Sequence, residues 1–256
     1  MSLQLTVDQA LKGKATQIKG KEYLSTEAYI TPFLERMSKF TDDFRIQAIP
    51  ADQISISEDN EDIVYNRMWI QAVMPDECGY DNHDRVVGLV YGLDTRKPVS
   101  KLYVGGLNRA CCNLCVFSPS FLNVQELAPE SAIDFRPIKN LLEQTSNVKN
   151  ILTELANTEV PYDESLINEN LGRWVRNTME KQFTGQFGKV KVATSVAIDA
   201  FNLLYRNSDS PYYVNPGYST DMFNVYNAFT QVLTDDTRDI INKCEKTLLT
   251  YDIITQ

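Results

Sequence analysis

Val64-Tyr-Asn-Arg-Met-Trp-Ile-Gln-Ala-Val-Met74, Arg85-Val-Val-Gly-Leu-Val-Tyr-Gly-Leu93 and Ser100-Lys-Leu-Tyr-Val-Gly-Gly-Leu107 are three runs rich in Val, Ile, Leu and aromatic residues. Side chains that suit a pleated surface recur in them with a period of two, which predicts strands. Leu93-Asp-Thr-Arg-Lys-Pro-Val99 sets turn formers between the second and third runs, so these two form a hairpin. Working outward, Phe44-Ile46-Ala48, Ile54-Ile56 and Cys111 to Phe117 repeat the pattern, and the β-rich part spans residues 41–121. Gly88, Gly92, Gly105 and Gly106 fall inside or at the ends of strands, where glycine marks a bulge, a bend or a close approach.

The period changes on either side. Upstream, Thr31-Pro32 offers an N-cap followed by a first-turn proline, and Phe33, Leu34, Met37 and Phe40 predict a short amphipathic helix. Residues 1–21 carry four lysines and few large apolar groups, and read as an extended basic lead-in that adds little core. Downstream, Ile138, Leu141, Leu142, Val148, Ile151, Leu152 and Leu155 share one helical face. Helices at about 165–183, 192–205, 221–233 and 237–251 follow, with a Pro/Gly/Tyr loop at 208–218. Strands followed by helices predict one α+β domain over residues 1–256: an N-terminal antiparallel or mixed sheet region, then a helical region from 135 to 256.

Of the 256 residues, 25 are Lys or Arg, 34 are Asp or Glu and one is His, a formal charge of −9. With 43% hydrophobic residues this is an ordinary folded interior, not a disordered or fibrous chain, and it is long enough to fold without staples. The single His83 removes most triads and metal constellations, because base chemistry near neutral pH leans on imidazole. We therefore expect no enzyme, no cofactor and no metal. No basic-then-apolar leader opens the chain, and no run of about 18 apolar residues occurs, so a membrane partner is not expected. Cys78, Cys111, Cys112, Cys115 and Cys244 are odd in number and uneven in spacing, which suits a reducing cytoplasm. Cys112-x-x-Cys115 lacks the second ligand pair of a structural zinc site and reads as part of a buried strand.

Charge is unevenly spread. Residues 41–84 carry net −9 and 123–170 net −6, whereas 1–21 are +3, 85–122 are +4 and 171–191 are +4. Three basic islands in an acidic chain fit a polyanion groove on an otherwise repulsive surface.

Gly185-Gln-Phe-Gly188 has the wrong spacing for a phosphate-binding P-loop. Read between two helices it is a plain turn, or a G-x-x-G loop of the kind that clamps single strands. Around it Arg173, Arg176, Lys181, Phe183, Phe187, Lys189 and Lys191 mix cations with aromatics, a combination suited to phosphates and unstacked bases. Trp174 lies on the apolar face of its helix and reads as core. A second platform is Arg67 with Trp69 and Lys101 with Tyr103, at i, i+2 on strands, which a half-buried sheet also carries without any ligand. Arg109 and the leading Lys12, Lys14, Lys19 and Lys21 complete the cationic candidates. Tyr212, Tyr213 and Tyr218 either stack bases or staple their loop.

Tyr103-Val-Gly-Gly-Leu-Asn-Arg-Ala-Cys-Cys-Asn-Leu-Cys115 resembles the R-x-x-C-x-N-like signature, in looser form R-x-C-T-N-L/G, of an uncharacterised phage/plasmid-like protein family. Met222-Phe-Asn-Val-Tyr-Asn-Ala-Phe-Thr230 is similar to that family's C-terminal helix with its N-x-x-T. On this likeness Arg109, Cys111, Asn113, Asn227 and Thr230 hold the motif positions, and Cys112 stands where the family has Thr. The resemblance implies early DNA metabolism of a phage or plasmid. The chain also looks like acidic single-stranded-DNA-binding cofactors that recruit a phage RNA polymerase to melted promoters, a likeness of size, acidity and basic-aromatic islands. The resulting expectation is a non-enzymatic, homo-oligomeric binder of single-stranded DNA in the host bacterial cytoplasm, assisting transcription or replication. Two alternatives stay open: an acidic DNA mimic that blocks host restriction, and a virion-associated structural protein.

Overall fold

A computed structural model describes residues 3–50, 63–74, 83–95, 97–108, 114–185, 188–235 and 240–255. β1 (Leu3–Leu5), α1 (Val7–Leu11), β2 (Thr16–Ile18), β3 (Lys21–Tyr23) and α2 (Thr26–Met37) lead into β4 (Asp43–Pro50), β5 (Tyr65–Met74), β6 (His83–Gly92), β7 (Val99–Asn108), β8 (Leu114–Cys115) and β9 (Leu122–Glu126). Next come α3 (Pro137–Glu143), α4 (Thr145–Asn157), β10 (Glu159–Val160) and α5 (Glu164–Glu180). The remainder is β11 (Phe183–Gly185), β12 (Gly188–Val190), α6 (Thr194–Tyr205), β13 (Thr220–Asp221), α7 (Met222–Asp235) and α8 (Lys243–Thr255). The fold is α+β.

The three quoted runs are the centre of the sheet, whose order is β1-β4-β5-β6-β7, with β8 and β9 both pairing the far edge of β7. Every described pairing is antiparallel, so no mixed ladder occurs among the described strands. Register places Ile46, Ile70, Leu89 and Leu102 in one row, and Gln47, Trp69, Val90 and Lys101 in the row facing the other way. On the first face Tyr29 of α2 meets Tyr91, with ring centroids 5.3 Å apart, and Val148 and Leu152 of α4 lie against Gly106. On the second face lies α8. Helices on both sides explain why Val86, Val87, Leu89, Val90 and Tyr91 are all buried, although an antiparallel sheet can keep one face wet.

Several expectations need correction. Residues 1–21 are not a lead-in: β1 extends the sheet against β4, and Leu5 and Ala10 enter the core. Helix α2 begins at Thr26, capped by Ser25, rather than at Thr31-Pro32. Pro32 inside it costs about 3 kcal/mol, yet burying Tyr29 and Ile30 ahead of it returns roughly 1.5–3 kcal/mol per side chain. The helix expected over 138–155 breaks at Gln144 into α3 and α4. Strand β8 holds only Leu114 and Cys115, and Leu122–Glu126, beyond the expected β-rich part, form the half-buried edge strand β9. Ile54-Ile56 and residues 109–113 lie outside the described residues.

Glycine earns its place at Gly88. It sits opposite both Gln71 and Tyr103, and the Tyr103 ring lies across it toward Trp69. A methyl there would strike the ring itself, not a flexible tip. In most strands Gly→Ala is stabilising, because alanine leaves less chain entropy to lose. Here Gly88→Ala is expected to destabilise by about 1–3 kcal/mol, the cost of overpacking. Urea unfolding midpoints of the wild type and the variant measure it.

Candidate functional site

The sheet platform expected from Arg67, Trp69, Lys101 and Tyr103 is not a surface. Trp69 is 4% exposed, Lys101 2% and Tyr103 0%, because α8 covers them. Arg67 Nε donates to Asp94 Oδ1 at 2.8 Å and ties β5 to the β6–β7 loop. Alternation on the strands is as expected, but what faces the row is a helix and not a nucleic acid.

Under α8 the row forms a buried polar seam. Lys101 Nζ pairs with Glu245 and donates to Asn242 Oδ1 at 3.1 Å. Trp69 Nε1 donates to the Tyr103 hydroxyl, and Lys243 Nζ stands 4.5 Å from the Trp69 ring centroid. Buried charge is tolerable only when it is paired and hydrogen-bonded, and this arrangement supplies both. Burial pushes the Tyr103 phenol well above its usual range and the Cys244 thiol up to about 12. The Tyr226 phenol, buried in α7, is also raised, and its hydroxyl donates to Thr247 O at 3.2 Å. These groups hold ordinary neutral protons in the interior, so none is activated as a nucleophile.

The basic island after residue 171 divides by function. Asp163 caps α5 by accepting from Ser165 N at 2.8 Å, and the apolar stripe of the helix buries Ile167 and Trp174, the latter edge-on to Phe229 at 5.4 Å. Trp174 is core, as read. Arg173 Nη2 donates to Asn170 Oδ1 at 3.0 Å. Lys181 Nζ donates to Asp252 O at 2.9 Å and Asn177 Nδ2 to Ile253 O at 2.8 Å, so both cap the last turn of α8. A cation at a helix C-terminus meets the negative end of the dipole, and Lys181 thus serves the fold. Gly185 and Gly188 are not flanked by helices: they pair with each other at the end of the β11–β12 hairpin. Lys189 in β12 and Lys191 just after it are exposed on either side of the buried Val190, and Arg176 is exposed on α5. Phe187 and the side chain of Phe183 lie outside the described residues.

Lys12, Lys14, Lys19 and Lys21 are exposed on and around the β2–β3 hairpin, whose Lys19-Gly20 loop has positive φ at both residues. This hairpin is anchored through Glu22 O, which accepts from Glu130 N at 3.2 Å, whereas β12 packs on α8. The two basic patches therefore have different supports. Tyr212 is a staple: its hydroxyl donates to Gln231 Oε1 at 3.2 Å, while Tyr218 stands 70% exposed. His83 is buried edge-on to Phe223, at 4.8 Å.

Asn227 and Thr230 are buried in α7, where Thr230 Oγ1 donates to Asn227 O at 3.1 Å, so this pair packs the helix. Arg109, Cys111, Cys112 and Asn113 lie outside the described residues. Cys115 and Cys244 are buried thiols, and no cluster of metal-ligating side chains occurs among the described residues. No protein-family model, curated protein or solved structure matches the chain.

Two outcomes follow from the seam. Lys101→Met or Glu245→Gln alone leaves one buried charge uncompensated and should cost about 3–5 kcal/mol, whereas Lys101→Met with Glu245→Leu should cost much less than the sum. A double-mutant cycle in urea reads this difference. Secondly, the raised Cys244, Tyr103 and Tyr226 groups keep their protons in the native state while the unfolded chain releases its own. The unfolded state then binds fewer protons, so stability is complete below about pH 8.5 and falls as pH rises from there toward 12. Urea midpoints measured from pH 7 to 11 should decline over that window only.

Proposed function

We propose that this protein is a non-enzymatic single-stranded DNA-binding protein that grips the strand along β12 and the end of α5. The observation that carries the reading is the pair of exposed lysines, Lys189 in β12 and Lys191 just after it, on either side of the buried Val190, together with the exposed Arg176 on α5, the helix that precedes the β11–β12 hairpin. Two exposed lysines two residues apart can bring their ammonium groups to neighbouring phosphates of one strand. Two or three such contacts give modest affinity, and a chain of net −9 repels non-specific duplex binding. Modest single sites make an oligomer useful, because several copies on one strand gain avidity. Lys12, Lys14, Lys19 and Lys21 offer a second patch for the same strand. In the phage setting that the resemblance implies, the acidic remainder would face a protein partner such as an RNA polymerase.

Fluorescence anisotropy with a labelled single strand tests this. Affinity should fall steeply with salt and exceed duplex affinity, and Lys189→Glu with Lys191→Glu should lower it about tenfold or more and flatten the salt slope by about two. Arg67→Gln, whose partner is Asp94, should leave it unchanged. No single-strand binding at low salt sinks the reading.

A further inference from the structure

Helix α5 buries Ile167, Trp174, Asn177 and Thr178 on one side and turns the other side to solvent. On the outer side Ser165, Glu169, Gly172, Arg176 and Met179 follow one another at steps of four, three, four and three residues, so they form one stripe, and all five are exposed. This is the stepping of the seam along which two helices pack at a shallow angle. Met179 is 69% exposed and Leu166, just beside the stripe, 41%, so two large apolar side chains are left open on a single helix. Neither Glu169 nor Arg176 has an ion pair or a side-chain hydrogen bond among the described residues. Gly172 stands in the middle, and a methyl added there would meet nothing within 4 Å. Glycine is a poor helix former, and nothing inside the molecule calls for it at this position.

The order of these residues is self-complementary. Glu169 and Arg176 lie equally far, on opposite sides, from the midpoint between Gly172 and Arg173, and so do Leu166 and Met179. Two copies of the helix running antiparallel about a two-fold axis at that point set Glu169 of each opposite Arg176 of the other. Leu166 then reaches Met179 of the second copy from the flank of the seam, and Gly172 lets the two backbones approach. Glu180 falls opposite the neutral Ser165, so no like charges are brought face to face. We propose that the outer stripe of α5 is the interface of a two-fold homodimer. A single pair of helices lies at the low end of specific interfaces, below about 1,200 Å², so the dimer is weak and reversible. Arg176 has five N–H donors, enough for the carboxylate of the second copy and a phosphate besides. Lys189 and Lys191 follow the C-terminal end of α5, and the antiparallel arrangement carries one such pair to each end of the dimer. The dimer needs no strand in order to form, so this inference does not rest on the DNA-binding reading.

Sedimentation velocity of the full chain without nucleic acid tests it, and a monomer–dimer equilibrium with a Kd of about 10–100 μM is expected. Arg176→Glu or Glu169→Arg alone sets like charges opposite each other and should weaken the dimer about tenfold or more. The two substitutions in one chain exchange the charges of every pair and should restore the Kd to within about threefold of the wild type. Met179→Asp should also weaken it about tenfold, with far-ultraviolet circular dichroism unchanged in all four variants. The Lys189→Glu, Lys191→Glu double variant should dimerise as the wild type does, which keeps the interface separate from the strand surface. A chain still monomeric at about 500 μM, single charge reversals with the wild-type Kd, a charge-exchanged variant no tighter than the single ones, or open-ended growth beyond a dimer would overturn the assignment.

Discussion

The ion pair between Lys101 and Glu245 is the constraint from which the architecture can be read. Neither charge tolerates burial alone, so once β7 carries a lysine on its inner row, some element must bring an anion to it. Helix α8 does so, and with Asn242 and Lys243 it fixes its own position along the sheet. Apolar contacts alone would let a helix slide on a flat surface, whereas a charge pair has one satisfactory register. The polar face of α8 is turned inward for this reason, and α8 is buried at Lys243, Glu245, Thr247 and Thr250. From that placement follow the covering of Tyr103 and the crossing of Gly88 by its ring.

Much of the fold was legible because it rests on local periodicity. β5, β6 and β7 carry period-two runs with strong β formers, and α5, α6 and α7 carry apolar stripes, so type and order follow from the chain itself. The failures occur where local signal is weak and pairing decides. Residues 3–5 are too short to read as a strand, and only β4 makes them one. Pro32 looks like a helix start because its first-turn role is the commoner one, but Tyr29 and Ile30 find the sheet and carry the helix past it. Around Gly185 and Gly188 the chain pairs with itself, a choice that two glycines and mixed neighbours do not announce.

The site was less legible for a definite physical reason. A sheet face bearing Arg67, Trp69, Lys101 and Tyr103 has the same alternation whether it meets water, a strand of DNA or a helix. The deciding partner, Glu245, lies 144 residues away from Lys101. The helix itself is expected, but nothing in the run of Lys243, Glu245 and Lys246 says which of them turns inward. What the sequence did carry was the choice of Lys189 and Lys191 as candidate cations, and both are exposed on either side of the buried Val190, although the strand that holds Lys189 was not foreseen.

The 144-residue separation also bears on how the molecule is made. A chain emerging from the ribosome delivers β4 to β7 well before α8, so the inner row waits with Trp69, Lys101 and Tyr103 uncovered. Closing so long a loop costs entropy that is recovered only at docking, which slows the final step. Until then the half-covered sheet presents an apolar face to its neighbours in the cell, the condition under which partly folded chains associate. The arrival of α8 is thus an act of protection as much as of assembly.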